Sequence, residues 1–176
     1  MASTSDKNSR IGRIGEGWFD DLCNRADLLY SQPKPDRTGR DRIIEFPSDA
    51  IRTDAPLDRS NVPSSFYVQI KCTASIEKSV KISLSVMERL AKGRKPTFIV
   101  FVGLDECEQV SACYIAHVNG DLLAPTLKRL RSEEKKGVSF IRDQTMALNP
   151  TTFPGIELTP ASLRARPETV EWLASG

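Results

Sequence analysis

The 176-residue sequence has a single histidine, His117, and four cysteines, Cys23, Cys72, Cys107 and Cys113, none of them in a Cys-x-x-Cys pair. With so little histidine, Ser–His and Cys–His hydrolase arrangements find no base. Cys107, Cys113 and His117 are spaced by six and four residues and lack a fourth partner, so a zinc knuckle is not expected. The thiols sit in apolar patterns and read as reduced core residues. Neither Gly-x-Gly-x-x-Gly nor Gly-x-x-x-x-Gly-Lys-Ser/Thr occurs, which removes the nucleotide-binding folds built on those loops. No apolar run approaches the roughly 18 residues of a membrane span. The opening "MASTSDKNSR" is polar and leads into no apolar stretch, so a cytoplasmic location without a membrane partner is the expectation.

What remains is 39% hydrophobic and 27% charged, enough for one globular domain with a core. We expect that domain over 1–148, with 149–176 as a helical extension that packs on it or leads to a linker. The net charge of +2 is too mild to declare a nucleic-acid binder. Its distribution is less even: 77–95 carries Lys78, Lys81, Arg89, Lys92, Arg94 and Lys95 against Glu77 and Glu88. A solvated helix face is the ordinary cause of such a run.

Along the chain, Ile11, Ile14, Trp18, Leu22, Ala26 and Leu29 recur at helical spacing and predict an amphipathic helix over 9–29. "YSQPKPDRTGRD" reads as a loop, "RDRIIEF" as a strand, and 47–65, with three prolines and three aspartates, as a long surface loop. Strands follow at 66–72 and "VKISL". "SVMERLAKG" is a helix capped by Ser83 or Ser85 and stopped at Gly93. "PTFIVFVGL" is a continuous apolar run, expected to be covered on both faces. "ACYIAHV" is another strand, and a basic helix ends near Gly137. The order α–β–β–β–α–β–β–α predicts an α/β fold, a mixed sheet flanked by helices.

One strand carries residues that a core does not ask for. In "FYVQIKCTAS", alternation puts Val68, Ile70 and Cys72 on one face and Gln69 with Lys71 on the other. A partly buried ammonium needs an anion to face. The preceding strand offers Asp41, opening after a glycine turn, and Glu45 four residues on; the first helix offers Glu16. Carboxylate, amide and water oxygens suit a hard divalent cation such as Mg²⁺. Beside it, a lysine is placed to orient water or to stabilise charge on a phosphoryl group.

These stretches resemble the PD-(D/E)xK nuclease superfamily, the restriction-endonuclease-like fold, and within it the Mrr-like branch. "IGEGWFDDL" is similar to its helix glutamate, "DRTGRDRIIEF" to its G-x-D strand and "FYVQIKCTAS" to its Q-x-K strand. The resemblance covers residues 11 to about 75, and the α–β–β–β–α–β order extends it to about 118. It implies that Glu16, Asp41 and Gln69 bind Mg²⁺, with Mn²⁺ as a substitute, and that Lys71 is the catalytic lysine. It further implies an endodeoxyribonuclease acting on DNA as a homodimer in restriction or anti-phage defence. Gln69 stands where the family usually has an acid, and the literal Pro35-Asp36 precedes Asp41 by five residues. Asp36 and Glu45 are therefore fallback or supporting carboxylates. Lys78, Lys81, Arg89, Lys92 and Arg94 are expected to grip flanking phosphates.

Plainer readings stand beside these. Lys71 can form an ion pair with Asp41 or Glu45 at a strand edge, and Gln69 can bond a neighbouring backbone. Tyr67 is a packing residue or a platform for a base. As a whole, the chain is also readable as an inactive nuclease-fold module that binds nucleic acid or protein, or as an RNA-directed or structure-selective nuclease.

Overall fold

The computed structural model describes residues 4–33, 40–45, 65–137 and 143–153. In chain order its elements are α1 (Thr4–Arg25), β1 (Leu29–Ser31), β2 (Arg42–Glu45), β3 (Ser65–Thr73), β4 (Val80–Ser83), α2 (Leu84–Ala91), β5 (Thr97–Leu104), β6 (Val110–His117), α3 (Gly120–Lys135) and β7 (Thr145–Leu148). A short 3₁₀ turn (Pro150–Thr152) follows. All eight residues of β5 are buried, as its unbroken apolar run predicts. The sheet order is β1-β2-β3-β5-β6. Among the described strands only the β3–β5 pair is parallel, and its crossover runs through β4 and α2.

The two faces of this sheet are covered differently. On one, Ile11, Phe19 and Cys23 of α1 pack on Val68, Ile70, Phe98, Val100 and Val102. On the other, Met87 and Leu90 of α2 and Leu122 of α3 pack on Ile99, Phe101 and Ala116. Helix α2 is capped by Ser83, whose hydroxyl accepts from Val86 N, 3.3 Å, in agreement with one of the two expected caps. Beyond α3, Gly137 takes the left-handed φ of 68° that ends such helices.

Several boundaries differ from expectation, each for a local reason. Helix α1 stops at Arg25, not near 29, because Asp27 adopts a left-handed φ of 51°. The N–H groups of Ala26 and Leu28 then close on the carbonyls of Leu22 and Cys23, 3.0 Å each. Leu29, counted with the helix stripe in the sequence, is instead 61% exposed on the edge strand β1. Strand β4 leaves the main sheet and pairs with the unexpected β7. The main sheet still receives three strands before α2, because β1 enters where β4 was expected. From residue 154 onward the expected extension lies outside the described residues; just before it, Phe153 stacks on Phe101 with centroids 5.8 Å apart. Among the described residues no helix is long and apolar enough to cross a membrane.

Gly15 sets how closely α1 lies on β3. A Cβ added there would stand 2.5 Å from Cys72 Cβ, whereas Gly12 has nothing within 4 Å. Gly15→Ala should therefore destabilise the protein by about 1–3 kcal/mol through overpacking. Gly12→Ala should stabilise it by up to about 1 kcal/mol through helix propensity. Urea unfolding of the two variants would read these opposite signs.

Burial pushes the thiols of Cys23 and Cys113 up to about 12, while Cys107 is exposed. An alkylating reagent at pH 8 should label Cys107 and spare Cys23 and Cys113 until the chain is denatured. These thiols, with that of Cys72 also raised by burial, make stability fall as pH climbs from about 9 toward 12, because over that range the unfolded chain releases their protons before the folded one does. Denaturant midpoints across that range test it.

Candidate functional site where two strands part

Strand β2 pairs with β3 from Glu45↔Ser65 to Arg42↔Val68 and no further, while β3 runs on beside β5 to Thr73. From Gln69 onward, then, β2 no longer covers the outer edge of β3. Asp41 stands at this fork. Its backbone N–H donates to Val68 O, 2.9 Å, and its Oδ2 accepts from Ile70 N at 2.6 Å. A side chain thus takes a strand N–H that the partner strand leaves behind. The same oxygen accepts a short hydrogen bond from Gln69 Nε2. Gln69 is 4% exposed, so this contact, with a longer one from its Nε2 to Ile70 O (3.3 Å), satisfies an otherwise costly buried amide.

Lys71 follows two residues later on the same face, half-buried beside Phe101 in the register. Side chains so spaced leave the strand about 7 Å apart. The Lys71 side chain makes no hydrogen bond or ion pair with any other described residue. The strand therefore presents an acid–amide pair and an adjoining ammonium, all on the α2 side of the sheet.

The neighbouring residue works on the opposite side. Arg42, opposite Val68, turns into the α1 layer and is 5% exposed. Its Nε and Nη2 donate to the two carboxylate oxygens of Asp20, at 2.6 and 2.8 Å. Nη2 also donates to Glu16 Oε2 at 3.2 Å, and Nη1 to the carbonyl oxygen of Asp41 at 2.8 Å. The hydrogen bond to Asp20 raises the guanidinium's pKa against the effect of burial, so the group stays charged. This one side chain fastens α1 to the backbone that carries Asp41.

Of the residues expected to meet, the structure joins Asp41 and Gln69 and sets Lys71 beside them. Glu16 is not with them: it binds Arg42 on the α1 side, because a buried guanidinium there demands counter-charge. Glu45 is exposed opposite Ser65, six residues along β3 from Lys71, about 20 Å at strand rise. It is neither a partner for Lys71 nor a support for Asp41. Asp36 and the loop over 46–64 lie outside the described residues. Lys78, Lys81, Arg89, Lys92 and Arg94 are all exposed, and Lys92 pairs with Glu88 one helical turn back, 2.6 Å. Arg89 belongs to α2, which packs on the face that carries Gln69 and Lys71.

Asp20 and Arg42 escaped the sequence reading, although signals for both exist. Glu16 and Asp20 are four apart and so share a helix side. Arg42 alternates with Ile44 onto the buried face of a strand, where an arginine needs acids. Among the described residues, no three His, Cys, Asp or Glu side chains gather as a metal cage. Comparison with family models, with curated proteins and with solved structures finds no match to this chain.

The two carboxylates on Arg42 should differ in weight. Asp20→Ala strands a buried charge and should cost about 3 kcal/mol. Glu16→Gln, at a longer and more exposed contact, should cost under about 1 kcal/mol. Urea unfolding of both variants measures the contrast.

Proposed function

We propose that this chain is a metal-dependent nuclease that hydrolyses phosphodiester bonds in DNA, with Asp41, Gln69 and Lys71 as its working residues. The observation that carries the reading is the Asp41–Gln69 contact at the fork, with Lys71 next on the same face and no described acid paired with it. The element order supports it as well. A helix, three antiparallel strands, a helix and a strand parallel to the third is the order expected of the restriction-endonuclease-like fold.

The donors at the fork suit a hard cation of modest demand. A carboxylate and an amide oxygen, without a full protein cage, fit an ion that keeps several waters and shares substrate phosphates. Mg²⁺ is such an ion, and Mn²⁺ accepts the same oxygens. Asp41 and Gln69, through its Oε1, would hold it; bound there, it would lower the pKa of a water and offset phosphate charge.

The chain's own residues supply the rest. Gln69 Nε2 and Ile70 N fix the Asp41 carboxylate, so its position is set before substrate arrives. Arg42 holds the Asp41 carbonyl from behind, and Asp20 holds Arg42. Lys71 directs an ammonium to the face where a phosphate would lie, stabilising charge that grows on its oxygens or orienting the attacking water. Glu16 contributes through Arg42. A homodimer, as the resemblance implies, would present two such forks to the two strands of a duplex, and restriction or anti-phage defence is the setting that goes with it.

A specific observation favours a second reading, a nuclease-fold module that binds without cutting. The residue beside Asp41 is a neutral amide already bonded to it, and the helix carboxylate is occupied by Arg42.

Supercoiled plasmid incubated with the full chain and Mg²⁺ or Mn²⁺ separates the two. Cutting should require metal and fall at least about 100-fold in Lys71→Ala and in Asp41→Ala, with circular dichroism unchanged. Cutting that persists in Lys71→Ala overturns the assignment. Binding without cutting at any metal concentration selects the module. Parallel reactions with RNA and four-way junctions identify a different substrate.

A further inference from the structure

The row on β3 that carries Gln69 and Lys71 has Tyr67 one step earlier. Two cations converge on that ring. Arg40 lays its guanidinium 3.8 Å above the Tyr67 centroid, and Lys95 Nζ stands 5.7 Å from the same centroid. Among the described residues neither makes an ion pair. Lys95 donates to Ser65 Oγ, 2.5 Å, and Arg40 Nε is buried without an acceptor. Arg40 is also wedged against the end of α2, its Nη2 3.4 Å from where a Gly93 Cβ would stand.

Bringing two like charges to one aromatic ring is unfavourable unless the ring offsets it or an anion joins them. Tyr67 offsets part. Arg40 occupies one face of the Tyr67 ring. The guanidinium, held over the ring, has Nη donors of the kind that suit a phosphate, and Lys95 adds a point charge nearby. Asp41 is the residue directly after Arg40, and Gln69 lies two along from Tyr67. The pair of cations therefore adjoins the acid–amide pair on the same side of the sheet.

We infer that Arg40 and Lys95, held by Tyr67, bind the nucleic-acid backbone phosphate that neighbours the one placed at Asp41, Gln69 and Lys71. The inference rests on the proposed action on DNA and names a further contact of that site. It assigns to these cations the register of the strand along β3, not a step in the chemistry.

The test is binding, separate from cutting. Anisotropy of a fluorescent duplex oligonucleotide is titrated with the full chain in chelator, from 50 to 200 mM salt. The double variant Arg40→Gln/Lys95→Gln should bind about tenfold or more weakly at low salt, and its slope of log K against log salt should be shallower by about 1. Arg40→Lys should keep the slope and lose affinity, since charge remains and the planar fork does not. Lys95→Gln alone, a half-exposed change that leaves the Arg40–Tyr67 stack intact, should shift the slope in the same direction if the double variant folds poorly. Lys128→Ala, an exposed change on α3, should alter neither quantity. Unchanged affinity and slope in folded Arg40→Gln/Lys95→Gln and Lys95→Gln overturn this inference while leaving the nuclease reading intact. A wild-type chain that binds but never cuts leaves this contact standing and overturns the chemistry. No binding by the wild type overturns both.

Discussion

A buried guanidinium organises the part of this molecule where Asp41 meets Gln69. Arg42 sits in a strand between Asp41 and Ile43-Ile44 and turns away from the side that Asp41 serves. An arginine in that place is tolerable only with its donors filled, and three groups fill them: Asp20 twice, Glu16 once and the Asp41 carbonyl once. Desolvation makes the charge costly, and the same desolvation makes each of its bonds strong. Helix α1 and the start of β2 are therefore not independent elements that happen to touch. The orientation of the helix and the position of the Asp41 backbone are settled by one hydrogen-bond network.

On the far side of the sheet, the parting of β2 from β3 provides what a regular ladder would not. A continuous antiparallel pair would leave no room for a carboxylate between the strands. Because β2 stops pairing at Val68, the Asp41 side chain enters the gap and takes the Ile70 N–H itself. Gln69 is buried at the same point, where its amide has little choice of partner. The acid–amide pair follows from the end of a strand register, and the register follows from which residues of β2 are apolar.

The sequence disclosed the pieces governed by strong periodicity. The unbroken apolar run of β5, the cap of α2 at Ser83, the stop of α3 at Gly137 and the shared face of Gln69 and Lys71 all obey local rules, and all are present. Short or one-sided elements were not legible. Strand β1 is three residues long with Leu29 turned outward, and β7 buries only Leu148. Their pairing partners, not their own residues, make them strands. The site divided in the same way. Alternation foresaw Gln69 and Lys71 together, and Asp41, expected there from its place after a glycine turn, does bond Gln69, whereas Glu16 joins that expected cluster only by its order in the chain. Only the third dimension shows that Arg42 intercepts it, since one-residue alternation sends Asp41 and Arg42 to opposite sides.

The division between the two sides has an electrical consequence. On the α1 side the cation of Arg42 is cancelled by acids, while on the α2 side Arg40, Lys71 and Lys95 meet none among the described residues. A chain whose formal charge is only +2 can in this way gather three cations around the one carboxylate of Asp41 on one side of a single sheet. A polyanion drifting toward it would be turned to approach from one direction, and added electrolyte would blunt that guidance long before it disturbed the sealed network behind.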